Sequence, residues 1–223
     1  MQLPADWPLA PDAIEQVHAA ALRVLRDVGM GEPLDELVER ATPRGCTVDA
    51  QGRLRIPSEL VEEAIAATAR IPALHGRAPE HDIPLDGSRM LYGHPGIAPM
   101  VVDLETGEYR DSTLADLYDV NRLTDALANI PMGGVYFYAT DIEDTAENAI
   151  NKVYAIASGT TKHINFDLSE AAHVRPVREL VDLVLEAHRP LDEAPSFQVG
   201  ACPTLAPLRY EPGQSQVLIE AAR

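Results

Sequence analysis

Tyr136 and Tyr138 stand two apart in the run VYFYAT at 135–140, with Phe137 between them. The chain holds only one Trp, seven Tyr and three Phe, so three consecutive aromatics are a concentration. On a strand, residues two apart share a face, and two tyrosine rings on one face can hold a cation, each face-on contact contributing roughly 0.5–2 kcal/mol. The plain alternative is a packed aromatic core strand. Asn165 and Asp167 close a second short β-run at 163–167. A carboxylate there can orient a substrate or pair with a cation, or else cap the next helix together with Ser169. Cys202 ends a third run and could be a nucleophile, but no base lies near it in sequence, and a lone cysteine is more often a small buried apolar residue. His94 lies in GHPG at 93–96, where two glycines allow the backbone close to a ligand. Phosphate-binding GxGxxG and GxxxxGK[ST] patterns are absent, and the seven histidines show no HExxH spacing. The sequence itself therefore names no metal ligands.

These residues need elements to position them. From 113 onward, helical and β patterns alternate. Thr113 and Asp116 cap a helix to about 128, and 135–140 is a β-run. Asp144 and Glu147 cap a helix ending near 159, and 163–167 is a strand. A helix then runs to 188, 196–201 is a third strand, and a helix begins at 211. This alternation predicts βα units on a parallel sheet, where function gathers at the C-terminal strand ends. That rule selects 138–141, 165–167 and 201–204. Residues 1–112 read as an α+β region. It opens with a helix capped by Asp12 and Glu15 and stopped by Gly29, then a short helix at 34–40 and a hairpin about 50–52. A helix from 57 and a Gly/Pro-rich meander with a second hairpin about 105–107 complete it. The final helical pattern, 215–223, has no stop signal. Three βα units fall short of the roughly 250 residues of a (β/α)8 barrel, so the expectation is a truncated chain or the front half of a barrel.

Length and composition fit this. The 223 residues, 46% hydrophobic and 24% charged, suit a globular chain. No apolar run reaches the roughly 18–20 residues that span a bilayer, and the first residues lack the pattern of a signal peptide. Two cysteines, Cys46 and Cys202, make neither a disulfide framework nor a zinc site, so a reducing cytoplasm is the expected compartment. The net charge of -17 argues against nucleic acid and anionic membrane as partners. It suits solubility, or attraction of cationic small molecules or a basic partner.

The runs RAPEHDI at 77–83, YGHPGIAP at 92–99, VDLETGEYR at 102–110 and TLAD at 113–116 resemble a segment of the trimethylamine methyltransferase family. RIPSELV at 55–61 is similar to that family's N-terminal region, and the likeness extends from about residue 12 to 223. The resemblance implies an α/β fold: a partial (β/α)8 TIM-type barrel at 113–223 preceded by an α+β N-terminal region at 1–112. It implies a methyltransferase that moves a methyl group from a methylamine, or a quaternary amine such as glycine betaine, to a corrinoid carried on a cognate protein. Trimethylamine-specific members carry pyrrolysine in a later half, outside this sequence. Within such a site, Tyr136 and Tyr138 would hold the cation and Asp167 would supply charge. His94, Asn165 and Cys202 would line the same mouth. The alternatives are a non-catalytic module binding a methylated amine or a corrinoid protein, and an inactive partial chain. Homo-oligomerisation is left open.

Overall fold

A computed structural model describes residues 10–68, 73–87, 90–91, 93, 96–186, 189–201 and 204–223. In chain order the elements are α1 (Pro11–Arg23), α2 (Asp35–Ala41), β1 (Thr47–Val48), β2 (Leu54–Arg55), α3 (Ser58–Ala67), β3 (Ala73–Leu74), β4 (Ile83–Pro84), β5 (Met100–Val102) and β6 (Tyr109–Asp111). Then come α4 (Leu114–Ala126), β7 (Met132–Gly134), α5 (Thr145–Gly159), β8 (His163–Asp167), α6 (Val174–Val181), β9 (Phe197–Gly200), β10 (Thr204–Leu205), β11 (Arg209–Tyr210) and α7 (Pro212–Ala221). The chain divides into two compact units, Met1–Ala69 with Cys202–Ser215, and Arg70–Ala201 with Gln216–Arg223. Residues 70–112 thus belong with the βα units.

In the first unit, α1 starts at Pro11 behind Ala10, and no side chain caps it. The expected Asp12–Glu15 cap does not form because Pro11 already occupies the first helical position, which places Asp12 inside the first turn. The helix widens at Val24–Val28, and Gly29 ends it with φ 74°. A side chain there is also sterically barred, since a Cβ would lie 2.6 Å from the Leu54 carbonyl oxygen. β1 and β2 form the expected antiparallel hairpin, and Met30 exchanges backbone hydrogen bonds with the buried Leu54. The β10–β11 hairpin joins them: Gly31 N–H donates to the Leu208 carbonyl, and the Arg53 guanidinium reaches the carbonyls of Val28, Gly29 and Leu208.

In the second unit, β7, β8 and β9 form a parallel sheet in that order, as βα units require. It has three strands, and no closed barrel is formed among the described residues. The register sorts its residues into two faces. Ile164 and Phe166 pair with Phe197 and Val199 and pack on α4, α5 and α6 with Leu117, Val153, Ile156, Val177 and Val181. Phe166 and Phe197 stack with ring centroids 5.9 Å apart. His163, Asn165 and Asp167 share the opposite, polar face with Gln198 and Gly200. α4 carries the expected capping box, Thr113 with Asp116, and Asp144 caps α5 by accepting from the Glu147 N–H. The helix after β8 is regular over Val174–Val181 and widens over Asp182–Glu186; its expected end at 188 lies outside the described residues.

One strand is displaced from its expected position. The β-run at 135–140 is not paired along its length; the strand is Met132–Gly134, in register with His163, Ile164 and Asn165. Glycine is required there, because a Cβ on Gly133 would lie 2.7 Å from both Asn121 Oδ1 and Thr160 Cγ2. The helices approach that backbone more closely than any side chain permits. The aromatic residues that follow have the stronger β propensity, but propensity yields to packing.

Candidate functional site at the strand ends

Beyond β7, the chain is held by hydrogen bonds to its surroundings. Ala98 bridges residues 136–138, its N–H donating to the Tyr136 carbonyl and its own carbonyl accepting from Tyr138 N–H. The buried Ser112 hydroxyl donates to the Tyr138 carbonyl at 2.7 Å, and the Thr140 N–H and hydroxyl both donate to the Ser112 carbonyl. A cavity of about 440 Å³ opens beside this bridge, lined by Gly96, Ile97, Ala98, Tyr136 and Phe137.

The two tyrosines do not act as neighbours on a strand face. Tyr136 is half-buried, and its hydroxyl accepts from Thr124 on α4 at 3.0 Å and lies 3.4 Å from the Met132 carbonyl, toward the start of β7. Tyr138 is 52% exposed. Asp167 ends β8 and caps no helix, since the following turn begins behind Glu170 without a side-chain cap. Its Oδ1 accepts from Lys152 Nζ at 3.3 Å, and the same ammonium donates to its backbone carbonyl at 2.8 Å. Oδ2 has no partner among the described residues, and the side chain is 40% exposed. Asn165, one step earlier on the same face, has a buried Oδ1 without a partner. Gly200 faces it: a Cβ there would lie 3.5 Å from that oxygen. His94 and Cys202 lie outside the described residues.

Lys152 is the residue that sequence reading missed. The signal was available: the chain has only two lysines, Lys152 and Lys162, against sixteen arginines. Both lysines are largely buried and place a compact ammonium against backbone carbonyl oxygens.

The opposite end of the sheet carries another polar group. His163 is 3% exposed and donates from Nδ1 to the His75 carbonyl at 2.9 Å, which leaves Nε2 as a buried acceptor without a partner. His75 in turn contacts Asp82, which accepts from Arg189 and from the Gly76 N–H. Burial works to raise the Asp82 carboxyl, but Arg189, His75 and the Gly76 N–H together hold it well below the usual carboxylate range. Burial pushes the His163 imidazole below its ordinary value of 6.5, outweighing the hydrogen bond to the His75 carbonyl and the pull of the nearby Gln198 side chain. As pH falls below 6.5 the unfolded chain therefore binds a proton that the folded chain refuses, and stability drops until the folded-state pKa is reached. Stability should therefore fall as the pH is lowered through 6.5, with the one-proton value of about 1.4 kcal/mol per pH unit as the upper limit of the slope. His163→Asn, which keeps a donor for His75, should flatten that slope in urea unfolding. An equally steep slope in the variant would assign it elsewhere.

Comparison with known proteins decides the family. A model of the trimethylamine methyltransferase (MTTB) family matches residues 2–223. This chain belongs to the trimethylamine methyltransferase family. It is 29% identical over 208 residues to the trimethylamine methyltransferase MttB of Desulfitobacterium hafniense, covering 93% of this chain and 42% of that protein. It is 26% identical over 224 residues to MttB of Methanosarcina barkeri, covering 95% of this chain and 44% of that protein. The glycine betaine methyltransferase of Desulfitobacterium hafniense is 22% identical over 205 residues. The chain thus spans less than half the length of the curated relatives it matches. Among the described residues no helix is long and apolar enough to cross a membrane, and no cluster of three His, Cys, Asp or Glu side chains is placed to hold a metal ion.

Proposed function

We propose that this chain supplies the first βα units of a (β/α)8-barrel methyltransferase. In this reading the enzyme takes a methyl group from a methylated or quaternary amine and passes it to the corrinoid of a cognate protein. Family membership over residues 2–223 supports the methyltransferase class. Within the structure the reading rests on Asp167, an exposed carboxylate at the C-terminal end of a parallel strand, with Oδ1 held by Lys152 and Oδ2 free. Strand ends of this kind gather the reacting groups in barrel enzymes. The corrinoid is here the methyl acceptor, a substrate brought by its carrier.

The chemistry asks little of acid or base groups. A quaternary nitrogen leaves as a neutral amine when its methyl carbon is attacked, so no proton is needed at the leaving group. The protein's part is to hold the cation, exclude water and leave one methyl open to the acceptor. Asp167 Oδ2 supplies the counter-charge, and the exposed Tyr138 ring supplies a face for a cation. Tyr136 is committed to Thr124 and shapes the neighbouring cavity. Asn165 presents an acceptor one step deeper on the same strand.

Asp167→Asn should weaken binding of tetramethylammonium, read by ligand-observed NMR, by about tenfold, the scale of one lost charge contact. Methyl transfer to a Co(I) corrinoid protein should fall with it. Unchanged affinity in the variant would remove Asp167 from the site. Binding of the amine without any transfer would favour the alternative of a non-catalytic binding module.

A further inference from the structure

α5 carries two polar side chains one turn apart, one reaching the segment that follows β7 and the other the end of β8. Asn148 Nδ2 donates to the carbonyls of Ala139 at 2.9 Å and Ile142 at 3.1 Å, in the segment that follows β7. Lys152, four residues on, donates to the carbonyl and carboxylate of Asp167 at the end of β8. The spacing places both on one face of the helix. Lys152 keeps only 12% of its side chain exposed, so the contact is held by the surroundings of its stem.

We propose that Lys152 is a positioning residue for Asp167, with α5 serving as the rail that fixes the end of β8 and the segment after β7 at the amine site. The inference rests on the reading of Asp167 given above and deepens it. A lone carboxylate at a strand end can turn about χ1 and χ2. An ammonium that grips its backbone carbonyl and one carboxylate oxygen fixes both torsions, and it turns the free Oδ2 outward. A positive charge beside a cation site has an electrostatic cost for cation binding, so its presence there needs a compensating gain. Pre-organisation of the carboxylate is that gain.

This opposition of effects makes the proposal testable. Tetramethylammonium affinity is measured by NMR in the wild-type chain and in Lys152→Met, Lys152→Arg and Asp167→Asn, each checked for folding by far-UV circular dichroism. If Lys152 acts only as a nearby charge, Lys152→Met removes a repulsion and binds the probe as well as wild type, or more tightly. If it positions Asp167, Lys152→Met binds about fivefold more weakly despite losing that repulsion. Lys152→Arg, which retains donors at a longer reach, then falls between the two. Should Lys152→Met fail to fold, Lys152→Gln is read the same way, since it too removes the charge and cannot span to Asp167. Equal or tighter binding in the uncharged variant overturns the proposal. A loss in Asp167→Asn without one in Lys152→Met overturns only the role of Lys152, whereas no loss in Asp167→Asn overturns the reading of the site itself.

Discussion

Asn121→Leu should cost the chain about 2–4 kcal/mol, a large part of the roughly 5–15 kcal/mol that keeps a typical domain folded. Asn121 is fully buried on α4. Its Nδ2 donates to the Leu117 carbonyl at 2.8 Å and to the Gly134 carbonyl at 3.1 Å, and its Oδ1 accepts from the Gly134 N–H at 3.0 Å. Gly134 ends β7, so one side chain bonds both backbone polar groups of the residue where the strand stops pairing and the loop to Tyr138 begins, sharing the carbonyl with the Tyr136 N–H. Leucine matches the volume but takes the Asn121 acceptor from the buried Gly134 N–H, a loss of roughly 1–3 kcal/mol, while the Gly134 carbonyl keeps the Tyr136 N–H at 3.1 Å. Leucine also cannot fit as asparagine does, because the Gly133 backbone approaches so closely that a Cβ there would be 2.7 Å from Oδ1. Equilibrium urea unfolding of the variant would show a lower midpoint at unchanged slope. A loss below about 1 kcal/mol would mean that the loop relaxes and lets water replace the amide.

The same residue shows where sequence reading ends. Local chemistry was legible. The Thr113–Asp116 box, the Asp144 cap, the hairpins about 50–52 and 105–107 and the strand at 163–167 each follow from contacts within a few residues, and each stands in the structure. The order of βα units was legible for the same reason, and it placed Asp167 at a strand end. β7 was not, because Met132-Gly133-Gly134 has little strand propensity, and its place is set by Asn121 and Thr160 from other elements. The aromatic run drew the reading three residues too late, so Tyr136 and Tyr138 became strand neighbours on paper while Tyr136 in fact turns back to Thr124. The partner of Asp167 lies fifteen residues upstream on a helix face, and no spacing rule links a helix lysine to the carbonyl of a following strand. Only the rarity of lysine in an arginine-rich chain points to it.

The second lysine carries the other large effect: Lys162→Met should lower stability by about 2–4 kcal/mol and open the turn between α4 and β7 first. Lys162 is 5% exposed, and its ammonium donates to the carbonyls of Thr124 at 2.6 Å, Leu127 at 2.7 Å and Ile130 at 2.7 Å. Two of these carbonyls also accept a backbone N–H, Thr124 from Leu127 and Leu127 from Ile130, so the ammonium braces a turn that the backbone already closes in part. Burial pulls the ammonium below the ordinary lysine value, with Asp125 opposing, so holding the charge has a desolvation cost. Methionine avoids that cost and fills similar space, which is why the expected loss is below the sum of three charge-assisted hydrogen bonds at about 1.5–3 kcal/mol each. Water sets the other bound. A cavity of about 480 Å³, lined in part by Lys162, Asn129 and Pro131, lies against this turn and can hydrate carbonyls that the ammonium leaves. Loss should therefore be local before it is global. Hydrogen exchange should rise across 124–132 well below the unfolding transition, while amides of β8 and α5 keep their protection. Uniform acceleration across the sheet would show instead that Lys162 sustains the whole unit, and unchanged exchange in the turn would show that its three contacts add nothing that water does not replace.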